Sequence, residues 1–311
     1  MAQITPAALE HFASHHGIAS ASDLESAGLS PHTIRSLATD GVLQQVLRGA
    51  YRLPSVPLDE LVRCTAVCVA HPDVVICGPT AGRIWGFRRL PADRRIHVLG
   101  PPGSRPTIAT WVIPYRTVAF HPEDVRFRRD GIVVTSRQRT ALDLARTLNP
   151  TNLLSVIEQA MGDGKLTDDD MRRVAVDWIS PQRPWLRAYL QVLDRRLEGG
   201  AADSHYEVLL GDSLIAAGLS DLVRQFSIDL PEYGPARFDL AVPKLRWAIE
   251  VDVFPTHNET AGRRSDAWRD ASAKEIGWEV DRVVERDFGP ALADTVRRLT
   301  GSYRRRTAAS R

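Results

Sequence analysis

The chain has 311 residues, 43% hydrophobic and 25% charged, with a formal net charge of +2. That length suits two or three domains with real cores, and the composition is ordinary for a globular chain. A charge so near zero excludes a global field as an argument for nucleic acid. No apolar run is long enough to span a bilayer, since the best, Thr65–Ala70, is cut by His71, Pro72 and Asp73. The opening MAQITPAALEHF has neither a basic n-region nor an apolar h-region, so the expectation is a cytoplasmic protein with no membrane partner. Lysine occurs only at Lys165, Lys244 and Lys274, the other basic residues being arginines, whose forks suit phosphate and guanine edges. Cys64 and Cys68 lie one helical turn apart, but with Cys77 they complete no metal-binding spacing and read as buried apolar residues.

Leu9, Phe12, Ala13 and His16 recur at i, i+3, i+4 and i+7 after Pro6, which predicts an amphipathic first helix. Ser20, with Asp23 at the capping-box position, predicts a second over 21–27 that Gly28 stops. Ser30-Pro31 pairs a capping hydroxyl with proline at the first helical position, opening a third helix that turns Ile34, Leu37 and Ala38 inward and ends at Gly41. Val42–Leu53 then alternates about Arg48-Gly49 like a two-stranded wing. Past Pro54 the pattern is mixed α/β, with a helix over Leu61–Ala70 and strands at Val74–Cys77, Ile96–Leu99 and Trp111–Pro114. A turn-rich stretch covers Gly100–Pro106, and a helix over Arg139–Leu148 closes the region. Residues 151 to about 200 read as helices broken at Gly162-Asp163-Gly164 and Ser180-Pro181, followed by a linker at Glu198-Gly199-Gly200-Ala201. The expected domains are a winged helix-turn-helix over 1–55, a mixed α/β region over 56–150, a helical connector over 151–200, an α/β domain over 201–300 and a basic, frayed tail over 301–311.

In a helix-turn-helix the second helix of the motif enters the major groove and its first residues reach base edges. With Ile34, Leu37 and Ala38 buried, His32, Thr33, Arg35, Ser36 and Thr39 face outward, and Arg48 and Arg52 sit on the wing. These groups suit contacts to bases and phosphates of double-stranded DNA. The same face also fits a protein-interaction module. The run Gly17-Ile18, Leu24, Ala27-Gly28-Leu29-Ser30, Ile34, Leu37, Gly41-Val42-Leu43 and Arg48–Leu53 resembles the winged-helix domain of AbiEi-type antitoxins. The blocks Cys77–Phe87 and Thr135–Ala145 are similar to blocks that follow it in that family. This resemblance implies binding to the chain's own operator, and a nucleotidyltransferase-type toxin as partner.

The second constellation is RFDLAVPKLRWAIEVDVF, residues 237–254. Phe238, Leu240 and Val242 alternate with Arg237, Asp239 and Ala241, and Trp247, Ile249, Val251 and Val253 with Glu250 and Asp252. Glu250 and Asp252 then share a face about 7 Å apart. A two-residue loop at Lys244-Leu245 would set Asp239 opposite Glu250. Carboxylates in an apolar hairpin need a partner. A divalent cation, Mg²⁺ or Mn²⁺, bound by Asp239, Glu250 and Asp252 supplies one, as does an exposed edge hairpin whose Arg237 or Arg246 pairs the acids. Glu207, on a helix opening the domain, could join the cluster, and His257 could serve as general acid or base or stay a solvated loop residue.

Ser204-x-x-Glu207, Arg237-Phe238-Asp239, Glu250-Val251-Asp252, His257, Asp266, Arg269-Asp270, Gly277-Trp278 and Arg282 together resemble the very-short-patch-repair-like branch of the PD-(D/E)XK nucleases. The resemblance spans about 202–288 and implies a restriction-endonuclease-like α/β fold with a metal-dependent endonuclease site. Asp252 stands where restriction enzymes usually carry lysine, and Val253 where glycine normally follows. Two functions stay open: a DNA endonuclease addressed by its winged helix, and a non-enzymatic regulator or antitoxin with an eroded nuclease fold.

Overall fold

A computed structural model describes residues 3–101, 103, 105–117, 121–176, 183–199, 201–253 and 260–310, with 260–266 described by backbone alone. Helix boundaries follow the capping chemistry. In α1 (Pro6–Ser14) the Thr5 side chain accepts from the Ala8 N–H. After strand β1 (Ile18–Ser20), a Ser20–Asp23 capping box starts α2 (Ala21–Ser26). Ser30 caps α3 (Pro31–Thr39), with Pro31 in its first turn. Gly28 and Gly41 adopt φ of +91° and +74°, which stops the two helices where the sequence places the stops. Strands β2 (Gln44–Leu47) and β3 (Ala50–Arg52) turn at Arg48-Gly49, and β3 also pairs with β1, giving the order β1-β3-β2. The inward face of α1 differs from expectation: Ala8 and Phe12 are buried, while Leu9 is 47% exposed and His16 lies past the helix end, bonded to Asp130. The true stripe is displaced because Ala8, too small to mark a core by hydropathy, fills a tight contact.

Helix α4 (Glu60–Ala70), capped by Asp59, covers the other side of the small sheet, where Val62 and Ala66 meet Ile18 and Ala50. The winged-helix core therefore does not end at residue 55. The same helix turns Cys64, Val67 and Cys68 into the next core, beside Ile76, Ile96, Val98 and Val134. That core is built on β4 (Val75–Ile76), α5 (Gly78–Ile84), β5 (Ile96–Leu99), β6 (Val112–Tyr115), β7 (Val125–Phe127), β8 (Val133–Thr135) and α6 (Arg137–Leu144). Its sheet runs β6-β5-β4-β8-β7. All three cysteines are free and buried, and burial pushes the Cys68 thiol up to about 11, in keeping with an apolar role. The blocks 77–87 and 135–145 fall on α5 and α6 and their approaches. They are tied internally: Trp85 Nε1 donates to the Thr135 carbonyl at 2.8 Å, and buried Arg139 donates to Asp124 at 2.6 Å and to Asp143 at 3.3 Å.

The chain divides into units Met1–Arg146 and Thr147–Arg311, so the division falls ahead of the helical segment and not at Glu198–Ala201. In the second unit α7 (Pro150–Met161), α8 (Asp168–Val176) and α9 (Pro184–Leu193) precede α10 (His205–Ala216). Glu158 of α7 is fully buried and accepts from Arg196 and Arg224 and from the Ala202 N–H. Removing one partner of such a buried ionic set costs about 3–5 kcal/mol. The expected linker instead pairs with the sheet, because the Arg224 N–H donates to the Glu198 carbonyl at 2.8 Å. The break expected at Ser180-Pro181 lies outside the described residues.

The sheet of this unit has the order β12-β11-β10-β9, from β9 (Val223–Leu230), β10 (Gly234–Val242), β11 (Trp247–Asp252) and β12 (Glu279–Val284). β10 runs antiparallel to both β9 and β11, and β11 runs parallel to β12 through α11 (Thr260–Glu275). One face packs Leu240, Val242, Trp247, Ile249 and Val253 against Leu210 and Leu214 of α10 and Leu299 of α12 (Leu292–Ala309). The other packs Ala241 and Ala248 against Ala273 of α11 and Trp278. The C-terminal basic segment is helical to Ala309, not a frayed tail, and Arg306 rests over the Trp247 ring. Among the described residues no helix is long and apolar enough to cross a membrane.

Candidate functional site

β10 and β11 are the two inner strands, so the acids they carry do not sit on an exposed edge hairpin. Their connection is a four-residue one, a 3-10 turn over Pro243–Leu245 followed by left-handed Arg246, instead of a two-residue loop. Both loops are centred on the same bond, so the register Leu240↔Ile249 and Val242↔Trp247 still brings Asp239 level with Glu250. The paired register ends at Leu240↔Ile249, and the Val251 N–H beyond it is taken by Asp239 Oδ2 at 2.8 Å.

Glu250 is buried and shares a hydrogen bond with Asp239. Burial first, and then the charge of Asp239, push Glu250 up to about 8. Burial likewise raises Asp239, although its bonds from Val251 and Glu250 oppose the rise. The pair thus keeps one proton, carried by Glu250 and donated to Asp239. The other Glu250 oxygen, Oε1, is buried without a hydrogen-bond partner, 3.3 Å from Arg269 of α11. Glu207 enters from the first turn of α10, where Ser204 caps the helix and the Asp203 N–H donates to Glu207 Oε2 at 3.1 Å. Burial and then Asp239 push Glu207 up to about 7. Gln225 of β9 joins these acids, its Nε2 donating to Glu207 Oε2 at 2.7 Å and to Asp239 Oδ1 at 3.4 Å.

Glu207, Asp239 and Glu250 are therefore brought together, while Asp252 is only loosely associated. Its side chain is about half exposed and its ion-pair contact is Arg282, at 3.9 Å. Arg282 bonds Asp270 more closely, at 2.8 Å. His257 lies outside the described residues, as does the side chain of Asp266. Among the described residues no three acidic, histidine or cysteine side chains stand ready as a metal cage. The donor set nevertheless fits a hard cation, being all oxygen, with an orphaned buried oxygen on Glu250 and a retained proton that a cation would displace. Asp239 and Glu250 are the residues that would hold such a cation.

Neither lysine that might replace the missing one is near. Lys244 sits in the connecting turn, paired with Asp221 and five residues from Asp239, roughly 16 Å along the strand. Lys274 lies in the last turn of α11, towards the Trp278 end. The cations at hand are Arg269 and Arg282, which bind anions but cannot take up a proton. Val253, in the place of glycine, packs into the core with Trp247 and Ile249, on the face away from Glu250. It does not crowd the acids. Gln225 was not legible from the sequence, and the available signal was an amide among inward residues of VRQFSI.

In the first unit, His32, Arg35 and Thr39 are exposed on α3, with Thr33 and Ser36 half-buried beside them. Arg48 stands exposed at the tip of the wing. Arg52 does not match its expected role, because it is half-buried and donates to the Val56 carbonyl, which ties down the chain after the wing. Exposed Gln44 and Gln45 on β2 extend the polar face in its place.

Residues 7–54 match the family described as "Transcriptional regulator, AbiEi antitoxin". No curated protein matches the chain. The crystal structure of the RV2827C protein from Mycobacterium tuberculosis is similar at a TM-score of 0.42 and 15% identity, over 68% of this chain and 85% of that one. A likeness that slight carries no argument about fold or function.

The raised carboxyls make stability depend on pH. Unfolded glutamate ionises near 4.5, whereas Glu207 and Glu250 hold their protons to about 7 and 8. Between those values the folded state binds more protons, so stability falls as pH rises. In metal-free buffer the Glu207→Gln/Glu250→Gln variant should gain on the wild type as pH climbs from 4.5 to 8. Groups such as His97, lowered to about 4 mainly by burial, titrate in both proteins and cancel. Urea midpoints across that range measure the difference, and a difference independent of pH would contradict the buried-acid assignment.

Proposed function

We propose that this chain is a DNA-binding protein whose winged helix recognises duplex DNA and whose C-terminal domain is a divalent-cation-dependent endonuclease of the PD-(D/E)XK type. The observation that carries the nuclease assignment is the convergence of Glu207, Asp239 and Glu250 at the point where β10 and β11 part. Like charges facing each other across paired strands are destabilising, and these are also shielded from water. Among the described residues of the very-short-patch-repair-like pattern, Glu207 lies on a helix, Asp239 and Glu250 on adjacent strands, Asp270 on a helix and Arg282 on a strand, which supports this reading.

Bound Mg²⁺ or Mn²⁺ would polarise a phosphoryl oxygen and lower the pKa of an attacking water. Asp239 and Glu250 would hold the cation, and Glu207 fixes the chain beside them through the Asp203 N–H. Arg269 and Arg282 are the cationic side chains beside these acids that would meet the phosphate. In the first unit, exposed Arg35 and His32 face the major groove, and Arg48 on the wing meets a phosphate.

A second reading rests on two observations. Residues 7–54 match an antitoxin regulator family, and Arg269 already gives Glu250 an opposite charge without any metal. On that reading the chain is a cytoplasmic repressor of its own operon, its partner a nucleotidyltransferase-type toxin, and its C-terminal domain an inactive nuclease fold.

Two measurements test these assignments. Arg35→Ala should weaken DNA binding, and Arg48→Ala should lower the salt slope of log K by about one unit, as loss of one phosphate contact requires. Anisotropy titrations across salt read both, and unchanged binding in the double variant would take the winged helix out of the interface. For cleavage, the full chain should nick plasmid or branched DNA only with Mg²⁺ or Mn²⁺. Asp239→Asn should abolish nicking by several orders of magnitude while leaving affinity intact. A wild type that cuts no duplex, branched, mismatched or single-stranded DNA with either metal hands the function to the regulator reading.

A further inference from the structure

The acid cluster contains one side chain that neither the motif pattern nor charge explains. Gln225 is only 5% exposed, and its Nε2 spends its hydrogens on Glu207 and Asp239. Its Oε1, about 2 Å from that nitrogen by covalent geometry, is buried with no hydrogen-bond partner. A buried carbonyl oxygen left without a donor destabilises the fold. The residue also holds a left-handed φ of +50° within a strand, a conformation that non-glycine residues rarely adopt. A leucine or methionine would fill the same space without the orphan oxygen, so packing alone does not account for an amide. The Oε1 of Glu250, in the same cluster, is also buried without a hydrogen bond, its ion-pair contact being Arg269 at 3.3 Å. Two buried oxygens without a hydrogen bond, one on each of two neighbouring side chains, suit a hard cation.

We propose that Gln225 is a ligand of the divalent cation: its Oε1 supplies a neutral oxygen, while its Nε2 orients Glu207 and Asp239 around the same site. This rests on the metal-dependent reading and adds to it a donor from β9, a strand that lies outside the motif set. It also answers the shortage of a third acid. Asp252 turns towards Arg282, and the amide takes the position that a third carboxylate would otherwise fill. A neutral donor completes the coordination without adding a third negative charge to a buried pair.

The test is calorimetric titration of the full-length chain with MnCl₂, which needs no substrate and no turnover. Gln225→Met keeps the volume but removes both polar ends, and it should weaken Mn²⁺ binding about 10–100-fold. Gln225→Glu restores an oxygen and should bind Mn²⁺ at least as tightly as the wild type, an outcome that a merely packed residue would not produce. Should Gln225→Met fail to fold, the wild type still decides. With glutamine side chains labelled with ¹⁵N, Mg²⁺ should shift the Gln225 amide resonance, identified as the one missing from Gln225→Glu. Gln225→Met binding like the wild type, Gln225→Glu binding more weakly than it, or an unmoved amide resonance would each overturn the ligand assignment while leaving the nuclease reading in place. A wild type that binds no Mn²⁺ at all overturns both.

Discussion

Asp239 and Glu250 meet across two inner strands of a sheet whose faces are both covered by helices. Such a position normally demands apolar side chains, and the residues around the pair obey that demand: Leu240, Val242, Trp247 and Ile249 on one side, Ala241 and Ala248 on the other. Two carboxylates there leave the fold a limited choice. One proton can be retained, an arginine can approach, or a cation can bind. Without a cation the first two operate together, with the proton on Glu250 and Arg269 at 3.3 Å. The parting of β10 from β11 follows from the same constraint, since the Asp239 carboxylate takes the Val251 N–H that the strand ladder leaves. Glu207 and Gln225 are drawn in from α10 and β9 to complete the polar pocket. The local departures of this sheet from regular geometry therefore share one origin.

Much of this was legible because it depends on short-range rules. Capping residues and helix-stopping glycines placed α2 and α3 almost to the residue, and period-two alternation around a turn gave the register that joins Asp239 to Glu250. What was not legible depends on the tertiary surroundings. Ala8 is core and Leu9 is not, because the fit of a small side chain against a neighbouring helix leaves no mark in hydropathy. β9 was hidden because Arg224 and Gln225, both buried, do not look like inward residues until Glu158 and Glu207 are known to lie opposite them. The Glu198–Ala201 stretch has linker composition, yet the Glu198 carbonyl pairs with β9, and the division between the two units lies near the other expected boundary, at 150. Arg52 looked free for phosphate because its Val56 partner is a backbone carbonyl, which no side-chain pattern reveals.

The two units bring different kinds of chemistry to the chain. In the first, a capped helix and a short wing present guanidinium, imidazole and amide groups over a core that α4 completes, and its remaining sheet is locked by buried Arg139 and its two aspartates. In the second, a mixed sheet holds buried acids that a shared proton and Arg269 accommodate. Among the described residues, arginine supplies the cations at that site. It neutralises a phosphate well but cannot take up a proton. The absence of a nearby lysine thus shapes the proposed chemistry and does not by itself remove it.

The central claim is that the Asp239–Glu250 pair exists to hold a divalent cation. An anomalous difference map from crystals of the full chain soaked in MnCl₂ tests it most directly. The account predicts a peak bonded to both carboxylates, with Arg269 displaced from Glu250. Ordered density for both side chains with no peak between them, and Arg269 still at its place, would contradict it.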